Sequence, residues 1–193
     1  MKIRLLISII IIIASGYTYG IDNKYSIGLD IGTQGSGVNF NYNNKLTDNI
    51  GYGATIRFFD IRATDELLVY DYYTGTYRSK NQVSLIMFPV FGSGSYYPFE
   101  GKIANNFSPF FRLSGGPIIV LDGDENIDSF SKRWKQAKSY AAIGGNIEFG
   151  VEFRMPGKVS FVAGIGFDYF PMPEKLDGKD DYSGVILQFS IIR

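Results

Sequence analysis

The 193-residue chain contains no cysteine and no histidine. Without cysteine it has no disulfide, no thiolate chemistry and no lipid attachment through an N-terminal Cys, although every redox compartment stays open to it. Without histidine it lacks the commonest general base and the commonest metal ligand. A net charge is lacking too, since Lys+Arg 19 balances Asp+Glu 19. There is then no global field to draw in nucleic acid. Nor does any apolar run reach the roughly 20 residues that a membrane-spanning helix needs. The longest, Leu5 to Ala14 (LLISIIIIIA), follows Lys2 and Arg4 and leads into small residues at Ser15, Gly16, Thr18 and Gly20. That is the layout of a removable secretory signal. Residues 1–20 are expected to be cleaved, after Gly16 or Gly20, leaving residues 21–193 as a single, slightly acidic domain.

What the chain has in abundance is period-two alternation, in eight stretches. Tyr25, Ile27, Leu29 and Ile31 oppose Ser26, Gly28, Asp30 and Gly32; Val38, Phe40 and Tyr42 oppose Gly37, Asn39 and Asn41. A third stretch sets Ile50, Tyr52, Ala54, Ile56 and Phe58 against Gly51, Gly53, Thr55, Arg57 and Phe59. The fourth, about Gln82 to Tyr97, is the least regular, and its Pro89 points to a bulge or irregularity. The fifth alternates Phe111, Leu113 and Ile119 with Arg112, Ser114 and Gly116. The sixth sets Ile147, Phe149, Val151 and Phe153 against Glu148, Gly150, Glu152 and Arg154. The seventh opposes Phe161, Ile165 and Phe167 to Ser160, Gly164 and Asp168, and the eighth Val185, Leu187, Phe189 and Ile191 to Gln188 and Ser190.

The connections alternate as well. Asn43 to Asp48, Glu100 to Asn106 and Met155 to Lys158 are compact turns rich in Asn, Asp, Gly and Pro. Between them fall longer links at Arg62 to Asn81, Asp122 to Lys138 and Pro171 to Asp181, with a short first link near Thr33 to Ser36. Short turns at one end and long loops at the other are the asymmetry of outer-membrane barrels.

Which face looks outward separates two folds. A soluble ligand-binding barrel turns its apolar face inward, and eight strands leave an interior only just wide enough for side chains or one small ligand. Some forty mostly large apolar residues, about five per strand, do not fit such a bore. The opposite face is dominated by Gly, Ser and Asn, which suits a crowded interior better than a solvated surface. The reading is therefore all-β: a closed eight-stranded antiparallel up-and-down transmembrane β-barrel with the apolar band against lipid.

On these features the chain resembles the small eight-stranded outer-membrane barrels of the OmpA membrane-domain and opacity-porin type. The resemblance covers residues 21–193 and rests on strand number, size and pattern, as in GVNFNYNNKLTDNIGYGATIRFFD and the closing GVILQFSIIR. It implies a bacterial outer-membrane location, lipid and the outer-membrane assembly machinery as partners, and no cofactor. In that family the last strand commonly ends in an aromatic residue; here Arg193 stands in that place, while Val185, Leu187, Phe189 and Ile191 keep the alternation.

Charges on the inward face, Asp30, Arg57, Arg112, Glu148, Glu152, Arg154 and Asp168, must pair or keep water. They are expected to form a charge-assisted network that plugs the lumen; a shifting Arg–Glu pair gating a narrow ion path is the alternative. Catalysis is not expected. Histidine is absent, and Glu148 and Glu152 lie about 13 Å apart along one strand at about 3.3 Å per residue, wider than paired glycosidase carboxylates at roughly 5 to 9.5 Å. Asp122, Asp124, Asn126 and Asp128 resemble the start of a calcium loop, but Ile127 replaces the required Gly and no closing Glu follows, so a solvated acidic loop is expected and no metal site.

Two loops carry contact chemistry. Tyr70, Tyr72, Tyr73 and Tyr77 supply contact area at low entropy cost. Trp134, with Lys132, Arg133, Lys135 and Lys138, suits the headgroup region. The function expected is a non-catalytic structural or surface-interaction barrel with an extracellular partner. A narrow pore or small-molecule transport barrel, and a soluble secreted ligand-binding barrel, are the alternatives.

Overall fold

The computed structural model describes residues 24–61, 67–73, 75–80, 85–103, 106–123, 130–155 and 159–193. The signal segment and residues 124–128 of the acidic stretch lie outside the described residues. In chain order the elements are β1 (Lys24–Gly32), β2 (Gly35–Lys45), β3 (Ile50–Ile61), β4 (Leu67–Asp71), β5 (Thr76–Lys80), β6 (Leu85–Tyr96), β7 (Phe107–Asp122), α1 (Phe130–Lys135), β8 (Lys138–Arg154), β9 (Ser160–Tyr169), β10 (Pro171–Leu176), β11 (Lys179–Asp181) and β12 (Gly184–Ile192).

Eight of these strands close a ring in the order β1-β2-β3-β6-β7-β8-β9-β12 and back to β1, every neighbour antiparallel. Closure runs from Ser26 opposite Ile192 to Gly32 opposite Ile186. Tyr25 and Arg193 extend it by exchanging backbone bonds, at 3.2 Å from the Tyr25 N–H and 2.9 Å from that of Arg193. The ring therefore has no open edge. The tight connections β2–β3, β6–β7 and β8–β9 share one end. At the other end two of the long links are not irregular loops: they fold into the separate hairpins β4–β5 and β10–β11, and the third carries the single turn and a half of α1. Each pairs its own backbone groups instead of leaving them to solvent.

The alternation sorts cleanly onto two faces. Outward side chains such as Ile27 (64 % exposed), Ile143 (79 %) and Phe149 (61 %) form a continuous apolar surface, while Asp30, Asn39, Asn41 and Glu148 are buried inside. This polarity is the reverse of a soluble ligand barrel. Aromatic pairs brace the outer face across strands, Phe111 with Phe149 at 4.9 Å and Phe107 with Phe153 at 5.4 Å between ring centres.

The lumen departs from the dominance of Gly, Ser and Asn expected from sequence. Only its middle is polar. Toward the long-loop end Phe59, Ile61, Leu85, Met87, Phe91, Ile118, Val120 and Ile186 point inward and pack with Phe170, Met172, Leu176 and Tyr182 from the β10–β11 region. Toward the tight-turn end Tyr97, Phe110, Val162 and Ile192 form a second apolar cluster. Strand β6 accounts for much of the difference: it begins at Leu85, and its inward residues are apolar from Leu85 through Phe91 before Ser95 takes over.

Ile118 is fully buried in the larger cluster. Ile118→Ala is expected to destabilise the folded barrel by about 2–5 kcal/mol, measured by urea unfolding in lipid vesicles. Leu113→Ala, on the outer face of the same strand, is expected to cost less than Ile118→Ala, because surrounding lipid fills the space vacated.

Candidate functional site in the barrel lumen

Between the two apolar clusters lies a layer of charge. Asp30 on β1, Arg57 on β3 and Asp168 on β9 meet although β3 and β9 stand opposite each other in the ring. Arg57 spans the bore: its Nε donates to Asp30 Oδ2 at 2.7 Å, and its two terminal nitrogens donate to Asp168 Oδ1 and Oδ2 at 2.8 and 2.9 Å. This bidentate fork is the strongest form of carboxylate pairing. The remaining acceptor sites are taken by amides, with Asn39 Nδ2 donating to Asp30 Oδ1 at 2.6 Å and Asn146 Nδ2 to Asp168 Oδ1 at 2.7 Å.

A second pair forms where β7 and β8 place Arg112 and Glu148 in direct register. Arg112 donates to Glu148 Oε2 at 3.1 Å and, through Nε, to Ser95 Oγ at 3.2 Å. With its amide nitrogen turned toward the carboxylate, Gln188 on β12 donates to both Glu148 oxygens at 2.9 Å and accepts from Asn39 at 3.1 Å, joining the two pairs. Room for Glu148 comes from Gly164: a Cβ there would stand 2.4 Å from Glu148 Oε1.

The third group rims the tight-turn end. Lys24 donates to Glu152 at 2.8 Å, Arg154 reaches Glu152 at 3.3 Å and Glu100 at 2.6 Å, and Lys45 donates to Glu100 at 2.9 Å. These contacts tie β1, β2, β8 and the β6–β7 turn into one clamp. Burial alone would raise the Glu100 carboxyl, but hydrogen bonds from Lys45 and Arg154 outweigh it and hold Glu100 down at about 2.

All seven lumen residues singled out from sequence face the bore, in these three groups, the first two of them joined through Gln188 and Asn39. Asp30, Arg57 and Asp168 meet, Arg112 meets Glu148, and Glu152 meets Arg154. Lys24, Lys45 and Glu100 join without having been foreseen; they sit at strand ends and in a turn, where alternation carries no signal. The voids left in the layer are small. One of about 20 Å³ lies among Asp30, Arg57, Glu148 and Gln188, and another of about 20 Å³ lies among Lys24, Tyr97, Arg112 and Glu152. Each has room for about one water. Among the described residues no group of Asp and Glu is arranged to hold a metal ion.

The loop residues are placed apart from the lumen. Tyr72 (89 % exposed) and Tyr73 (101 %) cap the β4–β5 hairpin, and Tyr70 stacks edge-on against Tyr72 at 5.1 Å. The Tyr77 side chain lies outside the described residues. Trp134 is half-buried on α1 beside exposed Lys132 and Lys135.

No protein-family model matches the chain, and no curated protein matches it significantly. Solved structures do. Neisserial surface protein A superposes with a TM-score of 0.60 at 9% identity, over 90% of this chain and 98% of that one. The N-terminal β-barrel domain of Pseudomonas aeruginosa OprF gives 0.49 at 10% identity, over 89% and 97% of the two chains. The attachment invasion locus protein Ail of Yersinia pestis gives 0.48 at 15% identity, over 89% and 97%. The likeness to Neisserial surface protein A establishes the fold as that of the small eight-stranded outer-membrane barrels.

Arg57→Met leaves Asp30 and Asp168 buried without their cation, and is expected to cost about 3–5 kcal/mol. Adding Asp30→Asn and Asp168→Asn should recover most of that loss, measured by urea unfolding. For the clamp, the folded-state value of Glu100 lies below the ordinary 4.5, so its contribution is present above pH 4.5 and lost as pH falls toward 2. The melting temperatures of wild type and Glu100→Gln are expected to differ at neutral pH and to converge across that window.

Proposed function

We propose that the chain is an integral β-barrel of the bacterial outer membrane, non-catalytic, with a structural or surface-interaction role and a lumen closed to solutes. The observation that carries this reading is the pairing of an uninterrupted apolar exterior with an interior in which charge is neutralised locally and capped by apolar clusters on both sides. The apolar band needs hydrocarbon around it, since surfaces of this size are not left in water by soluble monomers. Lipid is thus its constant partner, and a chain of this kind reaches the membrane through the outer-membrane assembly machinery.

Closure of the lumen follows from layering. An ion entering from the long-loop end meets Phe59, Phe91 and Phe170 before the charged layer, and from the other end passes the paired charges of the clamp and then meets Tyr97 and Phe110. The carboxylates are held by Arg57, Arg112, Lys24 and Arg154, so none is free to act as a base. The exposed Tyr72 and Tyr73 at the hairpin tip support contact with an extracellular partner, because they offer rigid aromatic area away from the membrane band.

The test is made on the mature chain refolded into detergent and then into planar bilayers. Faster gel migration unheated than boiled, with no stable single-channel openings, is the expected result. Frequent stable openings would replace the closed-lumen reading by a narrow pore. A chain that stays soluble without detergent and runs identically in both gel lanes would remove the membrane barrel itself.

A further inference from the structure

Sulfur in this chain is confined to methionine, since cysteine is absent. Apart from Met1, in the segment expected to be removed, the fold gives each methionine a different setting. Met155 stands 43 % exposed at the tight-turn end, and Met87 is wholly enclosed in the larger apolar cluster. Met172 belongs to that same cluster but is the least enclosed of its buried residues, at 9 %.

Met172 also sits on the part of the cluster that the ring does not supply. It lies on β10, which pairs only with β11, through Pro171 with Asp181 and Leu176 with Lys179 and an irregularity between them. Two-stranded hairpins are marginal alone. This one is seated by burying Met172, Leu176 and Tyr182 beside Phe59, Phe91 and Phe170, whose rings meet edge-on at 6.2 and 6.4 Å. Pro171 and Pro173 flank Met172 and hold its backbone extended.

The hydrogen-bond donors around this methionine are already used. The Tyr182 hydroxyl donates to the Leu176 carbonyl at 2.6 Å, the Tyr182 N–H to the Phe170 carbonyl at 3.0 Å, and the Phe170 N–H to Ser183 Oγ at 3.0 Å. The prolines on either side of Met172 have no N–H to give. A thioether needs no donor, so the arrangement is satisfied as it stands.

We propose that Met172 is an oxidation site, and that its sulfoxide unseats the β10–β11 hairpin from the mouth of the barrel while the ring stays closed. A peroxide is the oxidant: a sulfur lone pair attacks one peroxide oxygen, the S–O bond forms as the O–O bond breaks, and the second oxygen leaves with the proton as water or an alcohol. The sulfur has then lost two electrons and carries a polar oxygen. Within the cluster that oxygen has no donor left to accept from, so burying it costs an unmade hydrogen bond. The ring is held by its own ladder, whereas the hairpin is held by little besides this burial, so the hairpin gives way. Met155 has no such effect, being open to solvent. Methionine sulfoxide reductases reverse the step. That the hairpin meets oxidants at the cell surface rests on the orientation in the proposed function; the oxidation and its effect on the hairpin do not.

The test uses the mature chain in phospholipid nanodiscs, treated with hydrogen peroxide and digested briefly with trypsin. Mass spectrometry follows sulfoxide at each methionine and cleavage after the exposed Lys175, while gel mobility, unheated against boiled, reports separately on the ring. Oxidation is expected at Met155 first, Met172 next and Met87 last. Sulfoxide at Met172 is expected to raise cleavage after Lys175 about tenfold with folded mobility retained, and reductases for both sulfoxide epimers should restore resistance. Met155→Leu should respond as wild type does and Met172→Leu should not respond. Met172→Gln, which puts an amide in the same place, should be cleaved readily without oxidant. The proposal is overturned if Met172 stays unoxidised in the folded chain, if its sulfoxide leaves cleavage after Lys175 unchanged, if Met172→Leu responds like wild type, or if Met172→Gln stays resistant. Loss of folded mobility on oxidation overturns the separation of hairpin from ring.

Discussion

Hydrocarbon offers a peptide group no hydrogen-bond partner, and the rest of this structure depends on that constraint. A chain crossing as strands must pair every N–H and C=O with another strand, so the last strand has to return to the first. Here β12 does so from Ile186 to Ile192 and on through Arg193. Closure with eight strands then sets the bore, which is only wide enough for side chains. Bulky residues are forced outward and the inward positions are left to small or paired ones. Gly150 and Gly164 show the crowding: a Cβ at either would stand within 2.5 Å of Phe110 or Glu148.

A narrow bore lined by strands from all sides brings distant residues into contact, and charge benefits most from that. Arg57 reaches two carboxylates from β1 and β9 because its planar fork offers donors in two directions. A lysine in its place would present a point charge and could not hold Asp168 bidentately while also bonding Asp30. The apolar clusters above and below shield the pair from bulk water, which strengthens it and makes it obligatory at once. The sequence separation of 111 residues between Arg57 and Asp168 means that the contact forms only when the ring is nearly complete.

The ring itself was readable from the chain because two independent signals coincide. Ile27, Leu29 and Ile31 alternate with Gly28 and Asp30, and tight turns alternate with long links; either alone is ambiguous, but together they specify strand number, closure and which face is outside. The charges at Asp30, Arg57, Arg112, Glu148 and Asp168 were legible for the same reason, being polar exceptions placed in phase with glycine and serine. Their partners were not. Nothing in sequence shows that Arg57 chooses Asp168 across the bore instead of a neighbour, because that depends on which strands stand opposite. Lys24, Lys45 and Glu100 were missed since they lie where strands end. The apolar lumen residues Phe91, Ile186 and Ile192 were missed for a different reason: polarity was used to assign the face, and an inward apolar residue breaks that rule without leaving a mark.

Those inward apolar residues divide the barrel by depth. At the tight-turn end the apolar cluster is small and the charged clamp of Lys24, Glu152, Arg154, Glu100 and Lys45 surrounds it, binding strands that are distant in sequence. At the long-loop end the cluster is larger, and part of it comes from a hairpin outside the ring. Core built from ring residues is fixed by closure of the barrel, whereas core supplied by a hairpin depends also on that hairpin's own seating. The same barrel therefore has one half filled by its own strands and one half filled partly from outside the ring. The ladder is weakest where the two halves meet, since Pro89 has no N–H to offer opposite Arg57 and Pro117 none opposite Val90. Pro89 and Pro117 sit at that boundary, beside Phe91 and Ile118.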